Sequence, residues 1–354
     1  MRQPPPEVRA SWPAPNFTNP ETRGPALVTV ELLALSISSI FLGMRLYVRT
    51  RVVRSNLDWD DWLMIAGAIF GVGVTVCVVL ASSKYGWDLH IWDLTVAKMV
   101  ASRQVSFAGQ NLYCTAGSLV RISIFTSYLR LAPPGSLFRR LTFVGIAASA
   151  LTNFAFVVAL LAECRPFNSY WNLSRYPIDC YNETPMLLAY SAIAALLDLF
   201  VWVLPLPTLY HLSLPLSQRL ALVTLFGFGL VVVIASCIRI YWCYYVLEET
   251  YDVTWYGFHL WIWTAVEVQL GIICGCVPWL KVLFRLWRTG ETVIGTSGRG
   301  SQTNGQRATA TIGSKRGTAV RMDTLGGKGE SIDLERSSAG GVSETELCRP
   351  THWA

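Results

Sequence analysis

Seven long apolar runs, near residues 26–48, 62–82, 104–130, 141–163, 186–210, 220–246 and 258–284, take up most of this chain of 354 residues. A helix needs roughly 20 mainly apolar residues to cross ~30 Å of hydrocarbon, and each run has about that length. Hydrophobic residues make up 52% of the chain and charged residues 15%, a balance that a water-exposed surface accommodates poorly. The expected fold class is therefore all-α membrane: a seven-transmembrane-helix bundle over residues 26–287, preceded by a tail at 1–25.

The ends read differently. Residues 1–24, MRQPPPEVRASWPAPNFTNPETRG, carry prolines and charges where a cleavable signal needs an apolar core, so the first run is expected to serve as its own insertion signal. From 288 to 354 the chain turns to Gly, Ser, Thr and scattered charge, too little apolar surface to offset the entropy of ordering. That tail is expected to be disordered.

Orientation follows from two patterns. Asn-x-Ser/Thr acceptors stand at Asn16, Asn172 and Asn182, and glycosylation takes place only on the outer side. Seven spans with the N-terminus outside put all three outside and the C-terminus in the cytoplasm. The charge rule agrees: Arg45, Arg49, Arg51, Arg54, Arg130, Arg139, Arg140, Arg219, Lys281, Arg285 and Arg288 then fall on the cytoplasmic side. The loop CRPFNSYWNLSRYPIDC faces outward, where disulfides persist, and a Cys164–Cys180 bridge is expected to close it. Cys77, Cys114, Cys237, Cys243, Cys274 and Cys276 lie within runs and read as small buried hydrophobes.

Five ionisable residues, Glu31, Arg121, Asp198, Arg239 and Glu267, lie at bilayer depth, away from the ends of the runs. Each costs several kcal/mol at bilayer depth unless paired or wet. Counted from the helix ends at ~1.5 Å per residue, Arg121 and Asp198 match in depth in the inner half, and Arg239 and Glu267 in the outer half. Glu31 lies near the outer face and is expected to reach the interface. Two readings stay open: structural ion pairs that order the bundle, or an Arg121–Asp198 switch with Arg239 and Glu267 lining a ligand cavity joined by Asn111 and Gln110. Pro205 and Pro207 each remove a helix donor and should kink or end the fifth helix. Asp60 and Asp61, in DWDD, read as capping and favourable charge at a helix start.

Taken in order, NLDWDDWLMIAG, SKYGWDLH, VRISIFTSYLRL, CRPFNSYW, LLDLFVWVLPLPTLYHLSLPLSQR, ASCIRIYW and VEVQLGIICGCVPWLKVL resemble the fungal rhodopsin-domain family over about residues 27–290. This seven-span group includes the satratoxin-cluster protein 4 type of integral membrane protein and the Pth-type receptors. Tyr85, Gly86, His90, Arg121, Cys164, Pro166, Trp171, Cys180, Asp198, Pro205, Arg239, Glu267 and Pro278, with Asp60 and Asp61, match its recurring pattern. The resemblance implies a rhodopsin-like seven-helix protein, often encoded beside secondary-metabolite genes.

Retinal is not expected as a cofactor, because its Schiff base needs a lysine within the last span. FHLWIWTAVEVQLGIICGCVPWL has none, and Lys281 stands at its inner boundary. No HExxH, GxSxG, P-loop or dinucleotide fingerprint occurs, so an enzyme is not expected and no cofactor or metal is assigned. The favoured reading is a receptor or sensor of a small molecule. The alternative is a non-signalling accessory protein of a biosynthetic cluster, with a transporter behind both. Expected partners are membrane lipid, a small-molecule ligand, and a G protein or biosynthetic proteins on the cytoplasmic side, in the plasma membrane or an endomembrane. No nucleic acid is expected.

Overall fold

A computed structural model describes residues 4–171, 180–207 and 216–289. Asn172 and the tail beyond Thr289 lie outside the described residues. After a single helical turn at Pro6–Ala10, the long helices are α1 (Ala26–Tyr47), α2 (Trp59–Tyr85), α3 (Val96–Leu131), α4 (Leu137–Ala162), α5 (Glu183–Val203), α6 (Leu216–Tyr244) and α7 (Val253–Thr289). No strand occurs among the described residues; two-residue pairing is confined to a bridge between Cys164 and Cys180.

Six of these helices are long and apolar enough to cross a membrane; α3 is the exception. Its run includes Lys98, Arg103, Gln104, Gln110, Arg121 and Arg130, which lowers its apolar character although it is 36 residues long. Leu33, Ile40, Ile69, Leu151, Phe154 and Leu196 stand more than half exposed on the bundle's exterior, while Glu31, Arg45, Arg121 and Glu267 are buried. A chain folded for water has the opposite distribution, and an apolar exterior around a polar interior suits a lipid solvent.

Local signals set the helix ends. Asp58 and Asp61 form a reciprocal capping box at the start of α2. Gly86 ends α2 with φ 77°, a left-handed conformation that glycine adopts without a Cβ clash. Asn182 caps α5 by accepting the Thr184 amide. At its other end α5 stops at Val203, before Pro205, so the proline pair follows a helix end and puts no kink within α5.

Close approach of helices rests on small residues. Gly67 of α2 lies against Val120 of α3, and Gly145 of α4 seats the Phe125 ring, with a hypothetical Cβ only 2.5 Å from it. The core runs from Met64, Val74 and Val78 of α2 through Tyr113, Ala116 and Val120 of α3 to Trp261, Val268 and Ile272 of α7. Helix α7 packs against α1, α2, α3 and α6 and is the element that ties the bundle together.

Candidate functional site

Two ends of the bundle can be named by their chemistry: a disulfide end, where Cys164 is bonded to Cys180, and an arginine end, around Arg45. Between them α3, α5, α6 and α7 bring four charged side chains into one chain of contacts. Arg121 donates through Nε to Asp198 Oδ1 at 2.6 Å and through Nη2 to Oδ2 at 2.9 Å, the paired geometry that suits a planar guanidinium to a carboxylate. Arg239 Nε donates to Glu267 Oε2 at 2.6 Å. The two pairs are not separate, because Arg121 Nη2 also reaches Glu267 Oε1 at 3.3 Å.

Hydroxyl groups complete this quartet. Tyr113 donates to Glu267 at 2.6 Å and Ser236 to Asp198 at 2.8 Å, while Arg239 Nη1 donates to Ser191 at 3.2 Å. The Arg239 guanidinium also lies 4.7 Å from the Tyr113 ring centre. Arg121 and Arg239 balance Asp198 and Glu267, so the charges are compensated without water. Yet Arg239 Nη2, though buried, has no hydrogen-bond partner.

That unpartnered group borders a cavity toward the disulfide end. It holds about 830 Å³ of empty space including its mouth, and its walls include Trp87, Gln110, Tyr113, Tyr170, Tyr190 and Trp261. Gln110 Oε1 and the indole N–H groups of Trp87 and Trp261 are also buried without partners. A second cavity, with about 670 Å³ of empty space including its mouth, lies toward the arginine end and is bordered by Arg121, Asp198, Glu267, Trp202 and Pro205.

Of the residues singled out as cavity candidates, Arg239 and Gln110 line the first cavity. Glu267 borders the second, from which its carboxylate holds Arg239. Asn111 is absent from both linings and turns its amide back to the Phe107 carbonyl at 2.9 Å, which satisfies its own helix. Glu31 does not reach an interface. It is fully buried and accepts a hydrogen bond from Thr75 at 3.0 Å. Cys237 is exposed, whereas Cys114, Cys243 and Cys276 are buried.

Sequence reasoning missed a second polar cluster. Arg45 and Arg49, four residues apart and so on one helix face, are buried together with Asp60 and Asp61. Arg45 reaches Asp60 at 2.8 Å and Asp61 at 3.0 Å, and also donates to the Gly275 carbonyl at 2.7 Å. Arg49 pairs with Asp58, Asp60 and Asp61, and Arg130 with Asp58 and Asp60. Three arginines thus balance three aspartates across α1, α2 and α3. The i,i+4 arginines and the DWDD run were the available signal, and both were credited to simpler roles.

The disulfide end carries its own ties. The His90 ring stacks between Trp92, 4.4 Å away, and Trp255, 3.9 Å away, with Nδ1 2.5 Å from Asp252. Arg23 donates to His259 Nε2 at 2.9 Å and stands over Trp255, and the Asn16 amide N–H donates to Asp93. Asn16 and Asn182 are the described glycosylation candidates. No group of three His, Cys, Asp or Glu that could hold a metal occurs among the described residues.

Comparison with known proteins places the chain in a family. The fungal rhodopsin domain model matches residues 44–286. Receptor GIN3 of Arthrobotrys oligospora is 25% identical over 73% of this chain, which spans only 62% of that receptor's length. Polyenoic acids biosynthesis gene cluster protein Ba17b of Metarhizium anisopliae is 24% identical over 80% of this chain and 79% of its own. Satratoxin biosynthesis SC1 cluster protein 4 of Stachybotrys chartarum is 24% identical over 48% of this chain and 60% of its own. No solved structure matches. With the family model covering residues 44–286 of the 354, the chain belongs to the fungal rhodopsin domain family.

Proposed function

We propose that this chain is a seven-span membrane receptor or sensor for a small molecule, with its N-terminus outside, its tail in the cytoplasm, no retinal and no catalytic step. Helix α3 is taken as the seventh span because Tyr113 and Arg121 are buried against neighbouring helices, so its polarity is not offered to lipid. The orientation rests on the arginine end, where Arg51 and Arg54 follow α1 and Arg139 and Arg140 open α4.

One observation carries the functional reading: Arg239 borders the cavity at the disulfide end while its Nε holds Glu267, which is bonded in turn to Arg121. A ligand that engages Arg239 alters its hold on Glu267, and the change is felt at Arg121 and Asp198 beside the second cavity. Such differential contact is what a ligand needs to shift a conformational equilibrium. The receptor name of one relative supports this reading.

A second reading is favoured by the relatives named for biosynthetic clusters. In it the chain holds a metabolite at a membrane without signalling, and its cytoplasmic partners are biosynthetic proteins. A quantitative pull-down from native fungal membranes, with a label on the cytoplasmic tail, separates the two. Enrichment of a G-protein α subunit or its regulators is the receptor result; enrichment of biosynthetic enzymes or exporters alone overturns it in favour of the accessory role.

A further inference from the structure

The cavity at the disulfide end has an imbalance of hydrogen-bonding groups, and the imbalance specifies chemistry. Four donors there lack partners: Arg103 Nε, Arg239 Nη2 and the indole N–H groups of Trp87 and Trp261. The side chains of Arg239, Trp87 and Trp261 are at least nine-tenths buried, with 4%, 3% and 5% exposure. A single unpartnered acceptor, Gln110 Oε1, stands with them. Orphaned buried donors are costly and rare in native folds, and a bound acceptor group relieves them.

Charge narrows the class further. The cations of the wall, Arg103 and Arg239, have anionic counterparts in Glu183, which also lines the cavity, and Glu267, which holds Arg239. A carboxylate entering here brings a charge that nothing remains to neutralise, and burial of an uncompensated charge is expensive. An ammonium group meets donors only. A neutral carbonyl oxygen satisfies N–H groups and adds no charge.

Shape points the same way. Trp87 and Trp261 meet edge to face at 5.7 Å between ring centres. Their positions are set by glycines: a Cβ on Gly257 would come within 2.3 Å of Trp87, and one on Gly109 within 2.8 Å of Trp261. For Trp87 the atoms so seated belong to the benzo edge opposite the N–H. Flat aromatic walls favour a flat guest.

We propose that this cavity binds a neutral, planar, largely apolar molecule that presents carbonyl-type oxygens, as a lactone or aromatic ketone does, to Arg239 and the two indoles. The assignment rests on the small-molecule reading above and names its ligand class. It predicts selectivity by hydrogen-bond acceptance without charge.

The test uses the purified full chain in lipid nanodiscs and three two-ring probes: coumarin, naphthalene and 2-naphthoate. Binding is measured by titration calorimetry against empty nanodiscs. Coumarin should bind about tenfold more tightly than naphthalene, the worth of one or two good hydrogen bonds, and also more tightly than 2-naphthoate. In the W87F/W261F variant, which keeps aromatic walls and Arg239 but loses both indole donors, coumarin should lose most of its advantage over naphthalene while naphthalene is unchanged. A thermal midpoint for the unliganded variant verifies that it is folded, and the single variants W87F and W261F replace it if it is not. Tighter binding of 2-naphthoate overturns the neutral class. Equal, saturable binding of coumarin and naphthalene overturns the acceptor assignment and leaves a ligand cavity intact. No binding of any probe above empty nanodiscs overturns the proposal, while the receptor reading still answers to its own pull-down.

Discussion

At the scale of single residues, the cost of an intramembrane charge made four of them legible in advance. Arg121, Asp198, Arg239 and Glu267 stand in runs where an unpaired ion is prohibitive, and depth alone sorted them into two pairs; that Glu267 also takes Arg121, merging the pairs, depends on side-chain reach across three helices and leaves no trace in sequence. Asp198→Asn should destabilise the protein by about 3–5 kcal/mol, the cost of stranding a buried arginine. The measurement is thermal or denaturant unfolding in lipid. The exchange R121D/D198R should recover part of that loss, whereas equal damage from the single and double changes removes the pair as an energetic unit. In the loop after α2, burial pushes the Asp88 carboxyl above its ordinary value of 3.8, against the pull of Lys98. A carboxyl raised in the folded state stabilises fully below its unfolded value, and that contribution is lost as pH climbs from 3.8 through the elevated value. The thermal midpoint should therefore decline over that window, and Asp88→Asn should flatten the decline.

At the scale of elements, backbone punctuation was readable and side-chain traffic was not. The DWDD start of α2 was understood as capping, and the Asp58–Asp61 box does cap it. The same aspartates also receive Arg45, Arg49 and Arg130, because the turn between α1 and α2 returns the chain beside itself. Helix packing depends on glycine at particular contacts. Gly145→Ala puts a methyl group 2.5 Å from the Phe125 ring, and the overpacking should cost about 1–3 kcal/mol, read as a lower unfolding midpoint. The Cys164–Cys180 bond joins residues 16 apart, and a loop of that size gains about 3 kcal/mol from closure. Reduction, or Cys180→Ser, should lower stability by about that amount and leave the bundle helices intact by circular dichroism.

At the scale of the molecule, two polar networks lie at different levels of one bundle. The quartet of Arg121, Asp198, Arg239 and Glu267 is continuous, so changes within it should not add. A cycle of Arg239→Gln and Asp198→Asn should give a coupling of about 0.5–3 kcal/mol, the range for members of one network. Arg45→Gln, in the arginine-end cluster, should add to Arg239→Gln within about 0.5 kcal/mol. Coupling between those two would mean that the networks communicate through α7, to which both are attached by Gly275 and Glu267.

Sequence alone determined that the chain is helical and built for lipid, since uninterrupted apolar length is a local property. It also identified the charges that need partners and the loop cysteines, because desolvation cost and redox side act on individual residues. Packing of the helices sets which partners meet, that Glu31 is buried against Thr75, that Asn111 satisfies itself, and that Trp87, Trp261 and Arg239 leave unmet donors at one cavity. Such pairings depend on the rotation and spacing of helices distant in sequence, and those are set by the packing of side chains around the whole bundle.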